Sequence, residues 1–291
     1  MGSPYTNTKR KRVKTSKITK AQKLTPLIGY AVAACFVLAA IYTVVSSTHQ
    51  SDASAVDDGQ QPYSRISKLT DHAAFKEAYL SVNCSGELQQ TIQTLRASGQ
   101  VDSGSTSQAF LMIKKRPDRM LFTVDFDTHD MTIGVTGNTV WQRIRAPQRG
   151  DELALLEGED AAVWLGQRSF FDPLTQALQS QGAIQKIETS EWEGESCLKV
   201  QIKPETAEDL VEMLVNPRTM HLVAQFTAAS DGKIQKKTYR DYRKIKGMPV
   251  PFTTETYVGE KLIRRLTLNS ASINTGVLSG VFEIPQSLRS R

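Results

Sequence analysis

The spacing of apolar positions changes along this chain, and each change predicts an element. Ala74, Phe75, Ala78, Tyr79 and Val82 recur at helical spacing behind Thr70-Asp71, a capping pair. Cys84-Ser85-Gly86 breaks that helix, and Leu88, Ile92 and Leu95 predict a second, shorter one. From there the period falls to two. Leu95 to Val101 and Gln108 to Lys114 flank the turn Asp102-Ser103-Gly104-Ser105, and Met120, Phe122, Val124 and Phe126 alternate with polar neighbours. Met131, Ile133 and Val135 continue the alternation, and after Gly137-Asn138 the segment Thr139 to Ile144 returns as a strand carrying Trp141.

Two short helical pieces interrupt the strands, Asp160 to Leu165 and Leu174 to Leu178, with Asp172-Pro173 opening the second. Strand patterning then resumes at Ala183 to Trp192, Ser196 to Lys203, Thr219 to Ala228, Ile234 to Tyr242, Phe252 to Val258 and Leu262 to Ala271. Glu205 to Leu214 has good helix propensity. Leu210, Glu212 and Leu214 also alternate, however, and Asn216-Pro217-Arg218 forms a hairpin turn, so a strand from about Asp209 is the expectation. Short turns between successive strands require antiparallel pairing. About ten such strands cannot lie flat. The predicted fold class is α+β: a strongly curved antiparallel sheet, an open and incomplete barrel, covered by a few short helices.

Ahead of this region Leu27 to Val45 holds nineteen uncharged residues, the length of a helix that crosses a bilayer. Residues 1–26 carry eight basic side chains and no acid, whereas Asp52, Asp57 and Asp58 follow the segment before the next basic residue, Arg65. The positive-inside rule puts the N-terminus in the cytoplasm. The organisation expected is a basic tail at 1–26, a transmembrane anchor at 27–46, a polar linker at 47–69 and an extracytoplasmic domain at 70–291. A signal peptide cleaved after the Ala53-Ser54-Ala55 box and a lipidated Cys35 behind Val32-Ala33-Ala34 are the competing readings.

The net charge of +6 is a property of the tail, since the other 28 basic and 30 acidic residues leave −2. No nucleic-acid partner is expected of the domain, and the tail suits anionic headgroups. Cys84 and Cys197 are read as two separate buried thiols, with a disulfide as the alternative.

No nucleophile elbow, zinc-protease helix, phosphate loop or dinucleotide fingerprint is present. No cofactor, no metal and no enzymatic activity are expected. The nearest approach to a metal set is Asp125, Asp127 and His129, which share one face only if the strand continues through them. The bland alternative is a solvated strand face. Lys114-Lys115-Arg116 is read as a solvated hairpin rim in which Lys115 and Arg116 are headgroup candidates. Phe110, Phe122, Val124, Phe126, Ile133, Trp141, Leu222 and Phe226 are the candidates for lining an apolar cavity. In a half-open barrel the concave face is both core and pocket.

Several segments resemble proteins of the LolA/LolB-like superfamily of lipoprotein carriers, receptors and stress-sensing relatives. Residues 79–101 resemble the family's helix, glycine-containing turn, short helix and first strand. LMIKKRPDRMLF at 111–122 and MTIGVTGNTVW at 131–141 resemble two of its hairpins. YRDYRKIKGMPVPFTTETY resembles a late segment, and NSASINTGVLSGVFEIP, with Asn274, Phe282 and Pro285, resembles its close. The resemblance spans roughly residues 75–285. It implies an incomplete barrel with a helical lid and an apolar cavity, a bacterial envelope setting and binding rather than catalysis. Two functions then stand side by side. One is a protein anchored in the inner membrane and facing the periplasm, holding a lipid, acyl chain or lipoprotein. The other is an interaction or regulatory domain with a filled core that docks an envelope protein. A dry, filled interior favours docking.

Overall fold

The computed structural model describes residues 66–179, 183–203, 210–228 and 234–289. The tail, the anchor and most of the linker lie outside these residues. Among the described residues no helix is long and apolar enough to cross a membrane. Ile66 and Leu69, at the end of the stretch read as linker, pack into the hydrophobic core.

Two helices, α1 (His72–Asn83) and α2 (Gly86–Thr91), precede the sheet. Asp71 caps α1 by accepting from the Ala74 amide at 2.9 Å, and Ser85 caps α2 from Leu88. Six strands follow: β1 (Thr94–Ser103), β2 (Thr106–Lys115), β3 (Arg119–Phe126), β4 (His129–Thr136), β5 (Thr139–Ala146) and β6 (Gly150–Leu156). Then come α3 (Gly158–Gln167) and α4 (Pro173–Gln179), and the strands β7 (Ile184–Trp192), β8 (Glu195–Ile202), β9 (Val211–Val215), β10 (Leu222–Ala228) and β11 (Ile234–Arg240). A small hairpin, β12 (Arg243–Ile245) and β13 (Met248–Val250), precedes β14 (Thr253–Val258) and β15 (Lys261–Ile273). A 3₁₀ turn (Ser279–Phe282) and α5 (Gln286–Arg289) close the chain.

Among the described residues thirteen strands form one antiparallel sheet in the order β6-β5-β4-β3-β2-β1-β15-β14-β11-β10-β9-β8-β7. The long strand β15 returns to pair with β1 and so joins two meanders. β6 and β7 end the sheet without pairing, so the barrel is open. The sheet has more strands than the expected ten or so, and the one that falls on no segment read as a strand is β6, which carries no alternation. It is an edge strand, half-exposed along most of its length, and its GDELALL sequence has no buried face to mark. The helix and strand read around residue 205 resolve to β9 from Val211, while residues 204–209 lie outside the described set.

Two cores occupy the inner face. Over β1–β6 lie Phe110, Met120, Phe122, Val124, Ile133 and Val135, sealed by Trp164 of α3. The Phe122 and Trp164 rings meet at 5.7 Å between centroids, their planes tilted by 42°. Over β7–β11 lie Leu198, Val200, Met213, Val215 and Leu222, covered by Phe75 and Tyr79 of α1 and by Leu174 and Leu178 of α4. The C-terminal segment straps the outer face of the first half. The Lys115 amine donates to Val277 O and Ser279 Oγ at 2.8 and 2.9 Å, and Thr136 Oγ1 donates to Phe282 O at 2.6 Å. Asn274 anchors the strap by accepting from the Gln93 and Thr94 amides and donating to Thr91 O. Cys84 and Cys197 are both buried free thiols.

Candidate binding cleft

Between the two cores the inner face is left with a cleft. Its floor is built from inward positions of adjacent strands: Leu95 and Ala97 of β1, Met112 and Lys114 of β2, Leu268 of β15 and Tyr239 of β11. Asn83 at the end of α1, the α3–α4 link from Ser169 to Asp172 and the β12–β13 hairpin with Met248 and Val250 form its walls. The free space between them is about 80 Å³. Strand alternation explains the floor. Phe110, Met112 and Lys114 are in phase on β2, so a lysine follows two core residues onto the same face.

One end of the cleft is polar. Lys114 is only 5% exposed, and its amine donates to Ser169 O. Burial pulls its pKa down to about 7. Asp172 accepts from Tyr79 Oη at 3.0 Å, from the Thr175 amide at 2.8 Å and from Thr175 Oγ1 at 2.5 Å. Burial raises the Asp172 carboxyl above its ordinary value despite these donors. Asn83 Nδ2 donates to Tyr79 O and Met220 O, tying α1 to the β9–β10 turn. Behind Phe170 and Phe171 lies a second, polar hollow of about 400 Å³, lined by Gln89, Arg116, Arg168, Gln176 and Gln179. Arg116 sits 5.2 Å from the Phe170 ring, donates from Nε to Ile92 O at 2.6 Å, and has a buried Nη2 without a partner.

The structure separates the residues singled out in the sequence. Phe110, Phe122, Val124 and Ile133 meet in the first core with Phe126 packed at its margin. Leu222 belongs to the second core. Phe226 lies on the outer face of β10 beside Trp192, Cys197 and Leu214. Trp141 also faces outward. It covers Gly134, where a Cβ would come within 2.1 Å of the indole Cε2. Lys115 and Arg116 point to opposite sides, Lys115 into the C-terminal strap and Arg116 into the polar hollow. Lys114, read as part of a solvated rim, is buried instead. Its phase with Phe110 and Met112 was the available signal. Asp172 and Tyr239 carried none, because only the tertiary fold brings them to the cleft.

The Asp125, Asp127 and His129 set dissolves, since β3 ends at Phe126 and Asp127 lies in the following turn. His129 stacks on Phe126 at 4.7 Å and meets Thr128 Oγ1. Among the described residues no group of three His, Cys, Asp or Glu side chains is placed to hold a metal ion.

No family model and no curated protein matches this chain. Among solved structures it is similar to a DUF1329 family protein from Desulfovibrio piger, with a TM-score of 0.50 at 11% identity over 74% of this chain and 98% of that one. The chain has a LolA-like fold. A LolA superfamily protein from Nitrosomonas europaea follows, with a TM-score of 0.47 at 11% identity over 73% of this chain and 97% of that one. The complex of MucA and MucB from Pseudomonas aeruginosa gives a TM-score of 0.27 at 9% identity, over 72% of this chain and 61% of the other. At such identities the likeness is one of fold alone. In this sheet the two helical covers leave the cleft over the central strands between them.

Proposed function

We propose that this chain is a non-catalytic binding protein, anchored in the bacterial inner membrane with its domain in the periplasm. It takes the apolar part of a lipid or lipoprotein in the central cleft. One observation carries the reading: an apolar floor of Leu95, Ala97, Met112 and Leu268 ends in a buried amine, Lys114, midway between two sealed cores. That arrangement suits a molecule with one greasy and one anionic end. Each methylene it buries contributes about 0.8 kcal/mol. The cleft as it stands admits only a short length of chain, so a longer ligand must part the Phe170-Phe171 wall or the β12–β13 hairpin. The basic tail and the segment 27–46 support the anchor, and the LolA-like fold supports binding over catalysis.

The test is photocrosslinking in membranes that contain the full chain, using a fatty acid with a photoreactive tail. Label is expected on peptides holding Leu95 to Lys114 and Met248 to Leu268. Unlabelled fatty acid should displace it, and Leu268→Trp should block it. Label spread without preference over the chain would end this reading. A C-terminal reporter active only outside the cytoplasm checks the orientation.

A second reading rests on a different observation. Phe122, Val124 and Ile133 are fully buried beneath Trp164, so the first half of the barrel is filled. A filled interior favours a domain that docks an envelope protein. Crosslinking of the full chain to one protein partner, with no lipid label in the cleft, would favour it.

A further inference from the structure

Next to the cleft the inner face changes chemistry. The register aligns Lys237 of β11 with Thr256 of β14, and Thr256 with Arg264 of β15. Residues paired in this way point to one face, so the three side chains form a row across three strands. Gln225 of β10 extends the row, and its Oε1 is already taken by Tyr239 Oη at 2.9 Å.

Arg264 is 3% exposed, yet its Nε and Nη1 have no hydrogen-bond partner. The Oγ1 atoms of Thr256 and of its neighbour Thr254 are buried and unpartnered as well. Glu255, adjacent in sequence, lies on the opposite face, where it is held by Arg265 at 2.7 Å and by Tyr257 at 2.8 Å. No ion pair joins Lys237 or Arg264 to any carboxylate among the described residues. Two cations and two hydroxyls therefore share one face, and no carboxylate among the described residues is paired with either cation. Burial lowers both cations, Arg264 to about 10 and Lys237, helped by the nearby Arg264, to about 8.

We propose that Arg264, Thr256 and Lys237 form an oxyanion site that binds a phosphate or carboxylate group on the inner face of the sheet. A guanidinium presents two parallel N–H groups to such an oxyanion, and a lysine across the row supplies a second charge. Lys237 and Arg264 stand one strand apart on either side of β14, about 10 Å between backbones, which their side chains can close over Thr256. The anion removes the uncompensated charge that the fold otherwise buries. The site stands independently of the cleft, because a bare oxyanion needs no apolar floor. Its position four residues along β15 from Leu268 also lets it receive the head of an amphiphile lying there.

The test uses the full chain in a neutral maltoside detergent, with thermal unfolding followed as inorganic phosphate replaces chloride at constant ionic strength. Phosphate is expected to raise the unfolding temperature saturably. Arg264→Met should weaken its apparent affinity by at least about tenfold, and Lys237→Met by a smaller factor. Should Arg264→Met fail to fold, Lys237→Met and Thr256→Val carry the comparison. Dodecyl phosphate and laurate form the second arm. A midpoint well below that of inorganic phosphate assigns the site to an amphiphile's head, and equal midpoints assign it to a free ion. Phosphate acting no differently from chloride, or variants that respond as the parent does, would overturn the proposal.

Discussion

The two halves of the sheet bury their inner faces by different chemistry. Over β1–β6 the core is Phe, Met, Val and Ile, with Trp164 as its seal. Over β7–β11 the helices α1 and α4 bring polar groups inside. Asp172 joins Tyr79 to Thr175, and His221 stacks on Tyr242 at 4.0 Å. An apolar core is insensitive to pH and tolerates no charge. A hydrogen-bonded core is specific in geometry and titrates. The seam between them, at β11, β14 and β15, mixes Lys237, Thr256 and Arg264 with Leu266 and Leu268 on its inner face, and both candidate sites lie there or beside it. The lesson is that the helical covers, rather than the sheet, decide which inner positions are apolar.

The sharpest way to break this comparison is a charge in the first half. Phe122→Asp places an unpaired carboxylate against Trp164 and should cost about 4 kcal/mol or more, or abolish folding. Thr123→Asp, one residue on and facing outward, should cost about 1 kcal/mol or less. Equal effects in urea unfolding would show the faces to be misassigned. On the outer face of the same half, Gly134→Ala pushes a methyl into Trp141 and should cost about 1 to 3 kcal/mol. Adding Trp141→Leu should recover part of that loss, and strict additivity would remove the contact from the account.

In the second half, Asp172→Ala leaves the Tyr79 hydroxyl and the Thr175 hydroxyl without their acceptor. The expected loss is about 1 to 3 kcal/mol, with Tyr79→Phe milder. The smallest effect is a titration. Burial, with Lys244 nearby, holds His221 at about 4 instead of 6.5. The fold thus favours its neutral form, so this stability is present above pH 6.5 and lost as pH falls toward 4. The loss should be about 1 to 2 kcal/mol, reduced by the exposed part of the ring. His221→Gln should flatten that slope, and an unchanged slope would place the acid sensitivity elsewhere.

Much of the fold was legible in the sequence because strand alternation reports which residues are buried on one face. Phe122, Val124 and Ile133 share a face in the sequence pattern and in the structure alike. Asp71 and Asp172 act as caps by chemistry local to their helices. β6 left no pattern, because an edge strand with two half-exposed faces has nothing to alternate.

What the sequence determined by itself was therefore local: the helix starts, the strand phases, the hairpin turns and the antiparallel pairing that short turns enforce. Only the tertiary structure decided which face of each strand a helix would cover. Period two separates two faces without saying which is concave, so Trp141 and Phe226 could not be told from inward residues. Nor could local pattern bring together β1 and β15, some 170 residues apart, whose pairing sets the central cleft and carries Arg264 to the inner face. Long-range pairing depends on how two finished surfaces fit, and no window of sequence contains both.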